Sequence, residues 1–196
     1  MSRCLFLMVL LAFVVVRVVF RRRADQDRRS VRPFRERWLT RGVAAAVVLP
    51  AFLWLGSPRL GFADLPLPEA LGWLGYVTAL LGIGLLAWAQ FTLGANFSPW
   101  LELRSEHGLV TQGPYRWVRH PIYSAGFVII AGSGLLTGNA VVLLCPLVMF
   151  TVLLVFRLHD EEAMLERQFG DQYREWTRST GRLLPRFGVD DAGEHD

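Results

Sequence analysis

Two long apolar runs of this chain flank the segment Gly113-Pro114-Tyr115-Arg116-Trp117-Val118-Arg119-His120-Pro121-Ile122-Tyr123. Pro121 disfavours helical geometry at His120 and suits the first position of a helix, so we expect a helix to begin there. Arg119 and His120 would then lie at a helix N-terminus, where backbone N–H groups and the helix dipole attract anions. A basic flank with a tyrosine at a membrane surface would explain only part of this cluster.

The composition indicates a membrane protein. Of the 196 residues 53% are hydrophobic, and the mean hydropathy is +0.33, which is too apolar for an ordinary soluble domain. The two cysteines, Cys4 and Cys145, both lie in apolar runs, so the sequence predicts neither a disulfide framework nor a metal site. Phosphate-binding glycine loops, HExxH and GxSxG motifs are all missing from the sequence.

Five apolar runs predict an all-α integral membrane protein with about five transmembrane helices. The runs are residues 4–20, about 39–62, 70–93, 121–137 and 140–156. The second run is the least certain in extent, since Pro50 interrupts a short apolar core. The third run contains four glycines that would allow close helix approach, namely Gly72, Gly75, Gly82 and Gly84.

The arginines set the expected orientation. Residues 21–41 hold nine of them, the connector 94–120 holds three and the tail from residue 157 holds six. The connector 56–69 holds one and the turn at 138–139 holds none. An outside N-terminus places every arginine-rich segment in the cytoplasm. Because this topological role accounts for the arginines, we expect no nucleic-acid partner.

The chain divides into three predicted regions. Residues 1–93 would form a three-span membrane region, residues 94–187 the catalytic region, and residues 188–196 a disordered acidic tail. Within the catalytic region an apolar stripe recurs every three or four residues, which predicts a helix lying at the membrane interface. The stripe consists of Leu165, Phe169, Tyr173 and Trp176.

The last two predicted spans form a tight hairpin of nearly equal arms, because only Gly138 and Asn139 join them. Residues 119–123 should therefore lie at the same depth as residues 157–161. Arg157 and Glu161 alone would be interpreted as an i,i+4 surface ion pair. Opposite the His-Pro segment, they instead favour a functional site on the cytoplasmic side.

Several motifs follow one another between about residues 94 and 185. They are Leu93-Gly94-Ala95-Asn96-Phe97-Ser98, His107-Gly108-Leu109-Val110, Gly113-Pro114-Tyr115, Arg119-His120-Pro121-Ile122-Tyr123, Arg157, Glu161-Glu162-Ala163-Met164-Leu165 and Phe169-Gly170-Asp171-Gln172-Tyr173. Together they resemble the isoprenylcysteine carboxyl methyltransferases and their membrane relatives, which include phospholipid N-methyltransferases. The segment 98–106 departs from the prenyl-specific enzymes, which leaves the acceptor open.

The resemblance implies S-adenosylmethionine as the methyl donor and a cytoplasmic site built from the connector 94–123, the last two helices and the tail. Carried over by position, the cofactor-binding residues would be His107, Gly108, Leu109, Val110, Tyr115, His120, Pro121, Ile122, Tyr123 and Glu161. Arg157 would bind the substrate carboxylate, and Arg157 with Glu161 would form the catalytic pair. No metal is implied.

Three functions remain open at this point. The first is O-methylation of the carboxylate of a prenylated or otherwise lipidic acceptor, which needs no general base because a carboxyl group is already ionised at neutral pH. The second is methylation of a phospholipid amine or a small hydrophobic thiol, where Glu161, Glu162 or His120 would act as base on an amine. The third is a non-catalytic membrane protein of the same fold.

Overall fold

The computed structural model describes residues 2–25, 34–94 and 108–186, without the side chains of residues 21–25, 34–37, 58 and 59. The described part is helical and contains no strand. Its helices are α1 (Ser2–Asp25), α2 (Phe34–Gly56), α3 (Glu69–Leu93), α4 (Pro121–Thr137) and α5 (Ala140–Ser179). Short 3-10 helices cover Pro58–Ala63 and Gly113–Arg116. The predicted all-α membrane fold is confirmed.

Four of the helices, α1, α2, α3 and α5, are long and apolar enough to cross a membrane. Helix α4 is equally apolar but has 17 residues, about 25 Å of helix, which lies at the lower limit for a span. Helix α2 ends at Gly56, so the predicted extension of the second span to about residue 62 is wrong. Pro58 starts a separate 3-10 helix there, since proline is favoured at a first helical position.

The predicted helix of the tail is the continuation of α5, which runs past its apolar part (140–156) for more than twenty residues. Gly170 interrupts it with φ 51° and ψ −121°, a conformation that costs glycine little. In the predicted apolar stripe Tyr173 is buried, and Trp176 donates a hydrogen bond from Nε1 to the Tyr115 carbonyl at 3.3 Å. This end of the stripe therefore packs on the protein, and its position at the membrane interface stays a prediction.

Helices α3 and α4 approach so closely that their backbones touch. A Cβ atom built on Gly75 would lie 2.7 Å from the Gly132 carbonyl oxygen and closer still to the Leu136 amide nitrogen. A Cβ atom on Gly82 would lie 2.9 Å from the Ile129 amide nitrogen. Two of the four glycines thus serve the predicted close approach. Gly84 has no atom within 4 Å of its Cβ position and does not.

Asn139 builds the turn between α4 and α5. It is fully buried, and its Oδ1 accepts hydrogen bonds from the amides of Val141 and Val142 at the start of α5. Its Nδ2 donates to the Leu60 carbonyl at 2.9 Å and to Asp64 Oδ1 at 2.8 Å. One side chain therefore caps α5 and ties the turn to the segment after α2.

The contact between α3 and α4 predicts unequal effects of the same substitution at two glycines. Gly75→Ala forces a methyl group against rigid backbone, which costs about 1–3 kcal/mol. We expect the melting temperature in detergent to fall by roughly 2–4 °C per kcal/mol. Gly84→Ala, the matched control, should leave it equal or slightly higher, because alanine favours helix. Equal melting temperatures for the two variants would contradict the close approach.

Candidate active site

The N-terminus of α4 forms as the sequence predicts. His120 is the residue before the helix, with φ −124° and ψ 60°, and Pro121 is its first residue. The side chain of His120 is only 7% exposed. Its carbonyl accepts the amide protons of Tyr123 and Ser124, which closes the first turn of α4. His120 is thereby fixed at the point where the connector enters the helical bundle.

The hairpin brings α5 to the same level, and Glu161 is the centre of the contacts there. Tyr123 donates its hydroxyl proton to Glu161 Oε1 at 2.9 Å, and Arg157 donates from Nε to the same oxygen at 2.7 Å. The second oxygen, Oε2, lies 3.6 Å from His120 Nδ1. The predicted juxtaposition of residues 119–123 with residues 157–161 is confirmed. The catalytic and binding roles of these side chains stay predictions.

Glu162 contacts a different set of basic side chains. Its carboxylate lies 3.5 Å from Arg119 NH2, 3.4 Å from His120 Nε2 and in direct contact with Arg182. Burial alone would raise the pKa of Glu162, but hydrogen bonds from His120 and Arg182, and the charges of these partners, lower it to about 2. Glu162 is therefore ionised throughout the physiological range and holds its neighbours in place.

A segment after α5, residues 180–183, which we call the C-terminal strap, was missed by the sequence analysis. The amide of Arg119 donates to the Gly181 carbonyl at 2.8 Å, and the amide of His120 donates to the Arg182 carbonyl at 3.1 Å. The guanidinium of Arg119 also donates to the Thr180 carbonyl. These bonds run mostly between backbone groups of an irregular segment, so no hydrophobic period or motif marks it in the sequence.

Tyr115 is buried in the short 3-10 helix of the connector. Burial, and secondarily the charge of Glu161, raise the pKa of Tyr115 far above its ordinary value, so its hydroxyl keeps its proton. Gly113 has φ 57° and rests against Thr92 of α3, with its Cβ position 2.6 Å from Thr92 Oγ1. This contact docks the connector on α3 and requires a glycine.

The structure describes only some of the other predicted binding residues. Leu109 and Val110 are half-buried and Gly108 is exposed in a segment without regular structure, while Ile122 is half-buried in the first turn of α4. His107 and the motif residues 95–98 lie outside the described part of the chain. So do the predicted acidic tail 188–196 and residues 26–33 of the arginine-rich segment 21–41. The prediction of a loop over all of 21–41 is wrong, because residues 21–25 belong to α1 and residues 34–41 to α2.

A cavity of about 300 Å³ lies at the opposite end of the bundle. The start of α1, the segment 65–69 and the end of α4 line it. Its wall includes Leu136 and Thr137, which are separated from Tyr123 by almost the whole length of α4. The cavity therefore lies at the other end of the helical bundle and does not belong to the cluster around Glu161.

The pKa of Glu162 predicts a specific dependence of stability on pH. A carboxyl group whose pKa is lowered by folding, here from 4.5 to about 2, stabilises the fold above pH 4.5 and loses that effect as the pH falls through 2. We expect the melting temperature of detergent-solubilised protein to drop in this window. Glu162→Gln should lower the melting temperature at pH 7 and flatten the drop. The exposed Glu175→Gln serves as control and should do neither. A wild-type drop retained in full by Glu162→Gln would contradict the assignment.

Comparison with known proteins shows which family the chain resembles. Residues 73–167 match the family model described as the isoprenylcysteine carboxyl methyltransferase (ICMT) family. A protein-S-isoprenylcysteine O-methyltransferase of Tribolium castaneum is 32% identical over 114 residues, which cover 57% of this chain and 41% of the relative. A nickel-cobalt-cadmium resistance protein, NccN, of Alcaligenes xylosoxydans xylosoxydans is 30% identical over 112 residues, covering 57% of this chain and 52% of that protein.

The fold is similar as well. A solved structure of the eukaryotic intramembrane Ras methyltransferase ICMT aligns with a TM-score of 0.54 and 28% sequence identity, covering 79% of this chain and 54% of that one. The chain thus spans about half the length of the relatives that it matches. The matched region runs from α3 to the first part of α5 and includes the connector, His120, Tyr123, Arg157 and Glu161. On its sequence and its fold, the chain is similar to the isoprenylcysteine carboxyl methyltransferase family over this matched region.

Proposed function

We propose that this chain is a membrane methyltransferase that takes its methyl group from S-adenosylmethionine and transfers it to the carboxylate of an isoprenylcysteine-like lipid. The observation that carries the proposal is the contact of Arg157 and Tyr123 with one oxygen of Glu161, beside His120. This polar cluster lies where the apolar part of α5 ends. The proposed site faces the cytoplasm, as the distribution of arginines predicts.

The side chains of the cluster suit such a cofactor. When bound, S-adenosylmethionine supplies an electrophilic methyl group on a positively charged sulfur. Glu161 carries negative charge toward that cation, and its Oε2 keeps acceptor capacity, since a carboxylate offers about four lone-pair sites. Tyr115 stays protonated and can donate a hydrogen bond. We assign cofactor binding to these two residues with His120, Tyr123 and the preceding segment from His107 to Val110.

Arg157 would hold the acceptor. Its Nε is engaged by Glu161 at 2.7 Å, which fixes the plane of the guanidinium group. A guanidinium in a fixed plane presents parallel N–H groups that match the two oxygens of a carboxylate. The apolar part of α5 leads directly to Arg157, so a lipid tail could lie in the membrane while its carboxylate reaches the arginine. Positioning of this kind is the main contribution such a site makes to transfer.

The electrostatics of the cluster favour a carboxylate over an amine. An α-carboxyl group has a pKa of roughly 3.5 and reacts without losing a proton, whereas an amine must be deprotonated first. Glu162 is a poor base because its pKa is about 2 and because Arg119, His120 and Arg182 all contact it. One of the three bases considered from the sequence is thereby removed, which supports O-methylation.

Radiolabelled methyl transfer on purified protein tests the proposed function. Wild-type protein is incubated with labelled S-adenosylmethionine and, separately, with prenyl-cysteines, a phospholipid amine and a small hydrophobic thiol. We expect label to enter the prenyl-cysteine as a base-labile methyl ester. Transfer to the amine or the thiol alone would contradict the proposed acceptor. The absence of both transfer and cofactor binding would refute the proposed methyltransferase activity.

Arg157→Lys separates the acceptor classes. Lysine keeps the positive charge but loses the planar fork, so turnover on a carboxylate acceptor should fall by about tenfold or more, while cofactor affinity changes little. Turnover and cofactor affinity are measured together on the same preparation. The exposed Arg167→Lys on the same helix is the matched control and should retain wild-type turnover. Near-normal esterification by Arg157→Lys would falsify the role assigned to this arginine.

A further inference from the structure

Gln90, near the C-terminus of α3, is a buried polar residue that the preceding sections leave unexplained. Its side chain is 1% exposed, and its Oε1 has no hydrogen-bond partner within the described ranges of the chain. The other buried polar residues given for these ranges, His120, Asn139 and Thr180, all form side-chain hydrogen bonds. A buried amide oxygen without a donor destabilises the protein that carries it.

The register of α3 against α4 shows which residue of α4 lies opposite Gln90. The helices run antiparallel, and their contacts pair Gly75 with Leu136 and Gly82 with Ile129. From Gly82 to Gln90 is eight residues, and from Ile129 back to Pro121 is also eight. Gln90 therefore lies opposite Pro121, the first residue of α4, which is also fully buried. This register places Gln90 at the level of the helix N-terminus where the candidate site is built.

Within the described ranges, no group around this N-terminus donates a hydrogen bond to the Gln90 oxygen. Pro121 has no N–H group. The amide of His120 donates to the Arg182 carbonyl and the amide of Arg119 donates to the Gly181 carbonyl. The amide of Tyr123 is used within the first turn of α4. The C-terminal strap thus accepts the amide protons of Arg119 and His120, and the Gln90 oxygen has no donor within the described ranges of the chain.

We propose that Gln90 is a further binding residue of the site, whose amide oxygen accepts a hydrogen bond from the nucleoside part of the bound methyl donor. The proposal rests on the function proposed above and adds a contact from α3, a helix that contributes no residue to the site predicted from the sequence. It also explains why a fully buried position on a membrane helix is occupied by glutamine, although an apolar side chain would stabilise the ligand-free protein.

The charges of the site indicate which part of the bound S-adenosylmethionine Gln90 would contact. The carboxylates of Glu161 and Glu162 project from α5, and a charged ammonium group is stabilised most beside a carboxylate. Gln90 lies on the opposite helix among buried apolar residues such as Leu86 and Ala89. A neutral amide oxygen in apolar surroundings suits a neutral N–H or O–H donor, which the adenine amine and the ribose hydroxyls provide.

Gln90→Met tests the proposal, because methionine has a similar length and no hydrogen-bonding amide. Binding of two probes, S-adenosylhomocysteine and 5′-methylthioadenosine, is measured by calorimetry on detergent-solubilised protein. We expect both affinities to fall about tenfold, the loss typical of one buried hydrogen bond. The melting temperature of the ligand-free variant should equal or exceed that of the wild type. The exposed Gln172→Met is the control and should change neither quantity.

Each remaining outcome is decisive. Unchanged affinity of Gln90→Met for both probes overturns the contact. A loss confined to S-adenosylhomocysteine, with 5′-methylthioadenosine unaffected, overturns the assignment to the nucleoside. A ligand-free variant that melts well below the wild type or does not fold shows that Gln90 serves the fold, and this also overturns the proposal. Failure of the wild-type protein to bind either probe refutes the proposed function itself, independently of Gln90.

Discussion

Glu161 and Glu162 are adjacent on one turn of α5, and they hold together the end of the helical bundle that contains the candidate site. Between them their carboxylates contact three arginines, a histidine and a tyrosine hydroxyl, which come from α4, the connector, α5 and the C-terminal strap. Removing one member of such a network would leave a partly buried charge without a partner, which costs far more than a surface ion pair. The two carboxylates have different roles. Glu162 anchors the surrounding segments, whereas one oxygen of Glu161 would accept a hydrogen bond from the proposed ligand.

The membrane part of the protein explains why this network can form at a fixed place. Gly75 and Gly82 let α3 and α4 touch backbone to backbone, and Asn139 caps α5 while it ties the turn to the segment after α2. Small residues and buried hydrogen bonds are the interactions that hold helices together in lipid, where apolar side chains gain little by leaving the bilayer. These contacts set the register between the helices, which brings α3, α4 and α5 to one level at the candidate site.

The contacts of the candidate site extend beyond the region that matches the family model. The family match ends at residue 167, whereas the C-terminal strap at residues 180–183 fixes the backbone of Arg119 and His120 and supplies Arg182 to Glu162. Gln90 extends the proposed site in the other direction, to α3. The similarity to relatives named as isoprenylcysteine methyltransferases therefore covers the centre of the candidate site and not its two edges.

The sequence alone determined the number and approximate limits of the apolar helices, the start of α4 and the approach of residues 119–123 to residues 157–161. Hydrophobic runs, the geometry of Pro121 and the equal arms of a hairpin are local properties, and each can be recognised within a few residues of the chain. The family resemblance followed from motifs of the same local kind. The end of α2 was misplaced because an apolar 3-10 helix continues its hydrophobic run. Only the tertiary structure decided that Glu162 contacts two arginines and a histidine, that residues 180–183 bond to the connector, and that Gln90 lies opposite Pro121. These features depend on backbone hydrogen bonds and on the register between helices, which arise only when segments distant in sequence are packed together.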